Sequence, residues 1–144
     1  MIIREMRTSD ITACTVITRL NWGQQVALRT RAELSHLLKH KLALYYVAQH
    51  GDGTVLGFAG MMPSHIMCNV WDFIWINIHP DFHYNGIGRE LTEYRINQVI
   101  SHKGAAIHLM TQKPEYFKKL GFHLAHCYEG DWSLMINQLQ ELKL

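Results

Sequence analysis

The sequence predicts an α/β fold in which helices pack on a mixed sheet. Three observations carry that expectation. The 144 residues are 48% hydrophobic, strand-like and helix-like periodicities alternate along them, and one apolar strand runs through a glycine turn into a helix. A chain of this length buries a real core and is expected to form one domain over residues 1–144. No repeat, low-complexity tract or linker-like stretch divides it. No apolar run reaches the roughly 18 residues that cross a bilayer, so no membrane partner is expected. MIIREMRTSD lacks a signal-peptide core, so the mature chain is expected to begin there and to be cytoplasmic.

IIREM reads as a first strand, and Thr8-Ser9-Asp10 supplies N-cap candidates for a helix through Ile11, Val16, Ile17 and Leu20. A second helix, about Arg31 to Lys39, carries Leu34, Leu37 and Leu38 on one face. LALYYVAQ and TVLGFAGMM are β-like runs joined through His50-Gly51-Asp52-Gly53 as a hairpin. NVWDFIWINI is a third, rich in aromatic and β-branched residues and closed by His79-Pro80. HYNGIGREL then opens a helix that runs to about Ile100. AAIHLMT reads as a buried strand, and Pro114 suits the first turn of a short helix that ends at Gly121. FHLAHCY and DWSLMI close the chain as strands. The order β-α-α-β-β-β-α-β-α-β-β belongs to a sheet with helices packed against it.

Fourteen Lys and Arg against twelve Asp and Glu leave a formal +2, spread along the chain. That is not the concentrated basic face of a nucleic-acid binder, although it helps attract an anionic cofactor. Cys14, Cys68 and Cys127 show no CxxC spacing and read as reduced, mostly buried thiols. Of the histidines, His36 and His40 share a helical face without H-E-x-x-H, and His123, His126 and Cys127 diverge across strand alternation. No metal is expected.

The glycine turn is the chemically interesting stretch. A Walker A loop needs Lys-Ser/Thr after its glycines, and a dinucleotide fingerprint needs a third glycine where Leu91 stands. Both templates fail. A third remains: strand, proline, short turn, then G-x-G at a helix start, where consecutive amide groups and the unpaired amides of the first helical turn converge on an anion. Arg89 in that first turn would add charge. An ordinary tight turn is the commoner use of such glycines.

The flanks change the weight. IWINIHPDFHYNGIGREL resembles the acetyl-CoA motif of the GCN5-related N-acetyltransferase (GNAT) superfamily, an apolar strand ending near Val-x-Pro followed by [Q/R]-x-x-G-x-[G/A]. EYFKKLGF resembles that family's second signature, with Gly121 and Phe122 in place. The spacing and element order agree over nearly the whole chain. The resemblance implies a mostly antiparallel sheet of six to seven strands with about four helices. It implies an acyltransferase that moves an acetyl group from acetyl-CoA directly to a primary amine of a small molecule or polypeptide. A homodimer is compatible with it.

On that resemblance, backbone groups of Ile76, Asn77 and Ile78 would align the pantetheine arm, and His83, Tyr84, Asn85, Gly86, Ile87, Gly88 and Arg89 would cradle the pyrophosphate. His83 replaces the leading Gln or Arg. Phe117 stands four residues before Gly121, where the family often has its acid tyrosine, and is counted with the cofactor contacts. Tyr116 is adjacent, about 100° around the helix, and the proton for the leaving thiolate comes from it, from another group or from water, or is not needed, since a thiol of pKa about 8.5 already leaves tolerably. Asp72 is the first candidate base, against a solvated strand-edge charge. His108 is another catalytic candidate, against a hydrogen-bonded core histidine. Asn77 could orient substrate or a water if it points to the cleft, His65 reads as an exposed loop residue, and Trp22 with the loop that follows it, within Asn21 to Leu28, would help build the acceptor pocket. Phe117 motivates a second reading, a CoA-binding module with weakened catalysis; a nucleotide-binding domain is a third.

Overall fold

The computed structural model describes residues 1–139. In chain order it has β1 (Ile2–Glu5), α1 (Ile11–Trp22), α2 (Gln24–Lys39), β2 (Leu44–Gln49), β3 (Val55–Pro63), β4 (Val70–Ile78), α3 (Ile87–Ser101), β5 (Ala106–Thr111), α4 (Pro114–Lys118), β6 (His123–Cys127) and β7 (Ser133–Gln138). The seven strands form one sheet ordered β1-β2-β3-β4-β5-β7-β6. Among the described residues only the β4–β5 pair is parallel. The expected mixed, mostly antiparallel sheet with four helices is therefore present. Among the described residues no helix is long and apolar enough to cross a membrane.

Strand alternation sends side chains to two clusters. Tyr46, Ala59, Phe73, Ile107, Leu109 and Met135 pack with Ile87, Leu91 and Val99 of α3 and Phe117 of α4. Tyr45, Val47 and Phe58 point the other way, against Ile11, Cys14 and Ile17 of α1 and Leu34 of α2. The first cluster reaches strands from β2 across to β7. The second draws its strand residues from β2, β3 and β4, so on the α1/α2 face β5 lies past the edge of the helical cover.

Three local expectations are corrected. The second helix begins at Gln24, one residue after a Gly23 at φ +89° that ends α1. Its first buried positions are Ala27 and Thr30, too weakly apolar to show as a stripe. Asp10 does not cap α1 with its side chain. Its carboxylate accepts from Arg4 Nη1 and Nη2, at 2.8 and 2.9 Å, and from the Arg7 amide at 2.7 Å. That clamps β1 to α1, and the Arg4 hydrogen bonds hold the Asp10 pKa below the usual range. Of the thiols only Cys14 is buried, with its pKa pushed up to about 12; Cys68 and Cys127 are exposed.

Candidate active site

The middle of β4 carries an extra residue. Ala59 opposes Ile76 and Gly60 opposes Ile74, so Trp75 has no partner on β3. Trp75 sits at φ +46°, a left-handed conformation that costs an ordinary residue roughly 1–2 kcal/mol. A bulge of this kind bends its strand. β4 pairs with β5 only from Val70–Ala106 to Asp72–His108. Beyond that pair the carboxyl ends of two parallel strands separate, the kind of crevice where open α/β sheets bind ligands.

The open edge of β4 follows from hydrogen-bond alternation. The His79 amide donates to Leu56 O at 2.8 Å. Backbone groups of Asn77 therefore also face β3, and those of Ile76 and Ile78 face the crevice. Ile78 O is already taken there by Asn21 Nδ2 at 2.8 Å and His83 Nε2 at 2.9 Å. A carbonyl only accepts, so His83 carries its proton on Nε2. This histidine ties the loop back to the end of β4.

The loop after β4 turns sharply into α3. Tyr84 and Gly86 both take left-handed backbone, at φ +64° and +78°. The His83 amide donates to Pro80 O at 3.3 Å, and the next amide to find a carbonyl is that of Glu90, already in α3, on Gly86 O at 3.0 Å. Among the described residues, the amides of residues 84 to 89 have no protein acceptor. Six consecutive free donors at the positive end of a 15-residue helix are the kind of amide cradle that holds anions. Tyr84 and Asn85 are exposed, whereas the Ile87 side chain is buried in the core, so Ile87 offers the cradle its amide alone. Arg89 is exposed and paired with Glu93 at 2.8 Å. A Cβ on Gly88 would lie 3.2 Å from the Tyr116 hydroxyl and 3.7 Å from Ile76 Cδ1. The missing side chain thus opens space beside the crevice wall.

Phe117, expected at the cofactor, instead turns its ring into the core, 5.7 Å from that of Phe122, and keeps 6% of its surface exposed. Tyr116 is the residue of the pair that reaches the loop, with its hydroxyl beside Gly88. Burial raises the Tyr116 pKa, opposed by the positive charges of Arg95 and Arg89. The phenol is therefore protonated at neutral pH and able to donate.

Asp72 and His108 occupy the other face of the sheet. Each lies between residues of the α3-side cluster, Trp71 and Phe73 for one, Ile107 and Leu109 for the other. Alternation sends both toward the α1/α2 side, where the two strands part. Burial raises the Asp72 pKa, with His108 and then His65 acting in the opposite direction. The loop histidine His65 therefore belongs to this constellation electrostatically, which its place in the sequence does not reveal.

Asn77 is corrected in its side chain. It is buried, and Oδ1 accepts the Trp22 indole N–H at 2.7 Å and approaches Asn21 Nδ2 at 3.4 Å. Nδ2 has no partner among the described residues. The amide fixes the α1–α2 junction against β4. The stretch from Asn21 to Leu28 is not an open loop: α1, Gly23 and α2 follow one another directly, and Trp22 remains 58% exposed beside the site.

Comparison with known proteins places this geometry. The sequence profile of the "Acetyltransferase (GNAT) domain" matches residues 41–124. Proteins of curated function give no sequence match. Among solved structures, the aminoglycoside 6'-N-acetyltransferase from Enterococcus faecium superposes with a TM-score of 0.82 at 17% identity, over 98% of each chain. A GNAT family N-acetyltransferase from Escherichia coli in complex with CoA gives 0.80 at 17% identity, covering 96% of this chain and 81% of that one. The ribosomal-protein-S18-alanine N-acetyltransferase from Escherichia coli gives 0.76 at 17% identity, over 99% of this chain and 97% of its own. The profile spans more than half of the sequence, from before β2 into β6, and takes in the bulged strand, the amide cradle and Tyr116: the chain belongs to the GNAT acetyltransferase domain family.

Proposed function

We propose that this protein transfers an acetyl group from acetyl-CoA to a primary amine of a small molecule or polypeptide. The observation that carries the reading is the placement of groups on two faces of one opening. The amide cradle and the Tyr116 hydroxyl lie on the α3/α4 side, Asp72 and His108 on the α1/α2 side, and β4 and β5 part between them.

The residues fit the cofactor. Amides 84 to 89 match a pyrophosphate, Gly88 leaves room beside them, and the backbone of Ile76 can pair with an amide-bearing arm as a further strand would. When bound, acetyl-CoA supplies an activated acetyl thioester. Asp72, ionised, takes the proton of the incoming ammonium, and its raised pKa makes it a better acceptor than an ordinary aspartate. His108 lies beside it in register and can pass that proton outward. An Ile76 N–H directed into the crevice polarises the carbonyl. As the neutral amine forms the C–N bond and the C–S bond breaks, Tyr116 would protonate the departing sulfur, and the surplus proton on the acylated nitrogen would restore the phenol. Holding the two reactants in this geometry accounts for the largest share of the acceleration, on the order of 7–11 kcal/mol.

The structural relatives act on an aminoglycoside and on the alanine of a ribosomal protein, so small-molecule and peptide amines both belong in the test. Incubating the protein with acetyl-CoA and a panel of polyamines, aminoglycosides, amino acids and N-terminal peptides, with thiol release as the readout, is expected to give amine-dependent turnover. Tight CoA binding without thiol release for any amine would instead favour the binding-module reading, which Phe117 at the usual tyrosine position motivates.

A further inference from the structure

Arg95 of α3 is 1% exposed, and it takes part in none of the ion pairs among the described residues. An arginine is almost never buried without a partner, so its contacts state its role. Nη1 donates to Gly60 O at 2.8 Å and to Trp75 O at 3.4 Å. Nη2 reaches Thr92 Oγ1 and Nε reaches Leu91 O, both at 3.4 Å, and the guanidinium lies 4.1 Å above the centre of the Phe73 ring. Trp75 is the unopposed residue of β4, and Gly60 is where the β3 register slips. A bulge strands backbone carbonyls that a regular ladder would satisfy. Here one buried cation collects a carbonyl from each strand of the defect.

We propose that Arg95 is a positioning residue of the donor site, fixing the β4 bulge so that Ile76 presents its backbone to the acyl-carrying arm of the cofactor. The inference rests on the CoA reading of the crevice. Two further observations support it. A Cβ at Gly60 would meet Tyr45 Cε1 at 2.5 Å and Ile74 Cγ1 at 2.9 Å, so the position where the β3 register slips admits only glycine. Burial pulls the Arg95 pKa down to about 9 while Tyr116 and Tyr46 act the other way, so the side chain stays charged at neutral pH and is felt by the tyrosine at the cradle.

The cradle and the bulge recognise different parts of CoA, which gives the test. Calorimetry compares CoA with 3′-phosphoadenosine diphosphate, which has the phosphates and lacks the pantetheine arm, on the wild-type chain, Arg95→Met and Arg95→Lys. The expected result is a roughly tenfold loss of CoA affinity for Arg95→Met, with the nucleotide bound as before. Arg95→Lys, which keeps a donor and a charge, should lose less. Should the methionine variant fail to fold, the lysine variant decides by the same ratio of the two affinities. Unchanged CoA affinity, or an equal loss for both ligands, would overturn the proposal while leaving the cradle intact. A wild-type chain that binds neither ligand would overturn the donor-site reading itself.

Discussion

The two faces of the sheet build their halves of the site from different material. On the α3/α4 face the proposed donor half consists of main-chain amides of residues 84 to 89 and a glycine whose absent side chain leaves room. On the α1/α2 face they are side chains, Asp72, His108, Asn77 and Trp22, contributed by two strands and a helix end. A donor site used for one invariant ligand can be made of backbone, which sequence change hardly touches. An acceptor site must differ from one family member to the next, and side chains provide that variation. Substitutions on one face should therefore separate from those on the other.

The sharpest break is expected at Gly88. In Gly88→Trp the indole would occupy the space between the Tyr116 hydroxyl and Ile76, and CoA affinity measured by calorimetry should fall more than about a hundredfold. Circular dichroism should show the fold retained. Unchanged affinity would remove the cradle from the donor site.

Tyr116 and Asp72 probe the crossing between the faces. Tyr116→Phe should lower the maximal rate by roughly 10²–10⁴-fold with CoA affinity held; a loss under about threefold would take the phenol out of the mechanism. Asp72→Asn should cost about a hundredfold, with a signature in pH. The carboxyl acts as a base only when ionised, and burial raises its pKa. Activity should thus be lost as pH falls through a value above the usual 3.9 or so. In the asparagine variant that acidic limb should disappear. A limb that persists unchanged would assign it to another group, His108 first.

What the sequence could show divides along the same line. The glycine turn into α3 was legible because its parts are contiguous: strand, Pro80, turn, Gly86, Gly88 and helix all lie within one short segment. The order of elements along the chain and the short helix at Pro114 were legible for the same reason. Tyr116 and Phe117 were not, because their roles depend on a helix rotation that Phe122 settles by drawing Phe117 inward. Asp72 and His108 meet through strand register over a separation of one helix and two turns, and no local pattern records that. Nothing in the helical pattern around Arg95 marks it for burial. Only the bulge across from it, set by Gly60 and Trp75, explains why it is buried.

The finest test concerns the junction that sequence reading took for a loop. Trp22 holds Asn77 through a single indole N–H at 2.7 Å while more than half of its surface stays open to solvent. Trp22→Phe keeps an aromatic ring and removes that donor. Asn77 Oδ1 would retain only the longer approach of Asn21 at 3.4 Å, and a weakened buried hydrogen bond is worth about 1 kcal/mol. The α1–α2 junction should then shift relative to β4. Once an acceptor amine is known, its KM should rise roughly fivefold at that energy, with CoA affinity unchanged. Equal effects on both ligands would mean that the junction braces the whole crevice, and the separation of the two faces would fail at this point.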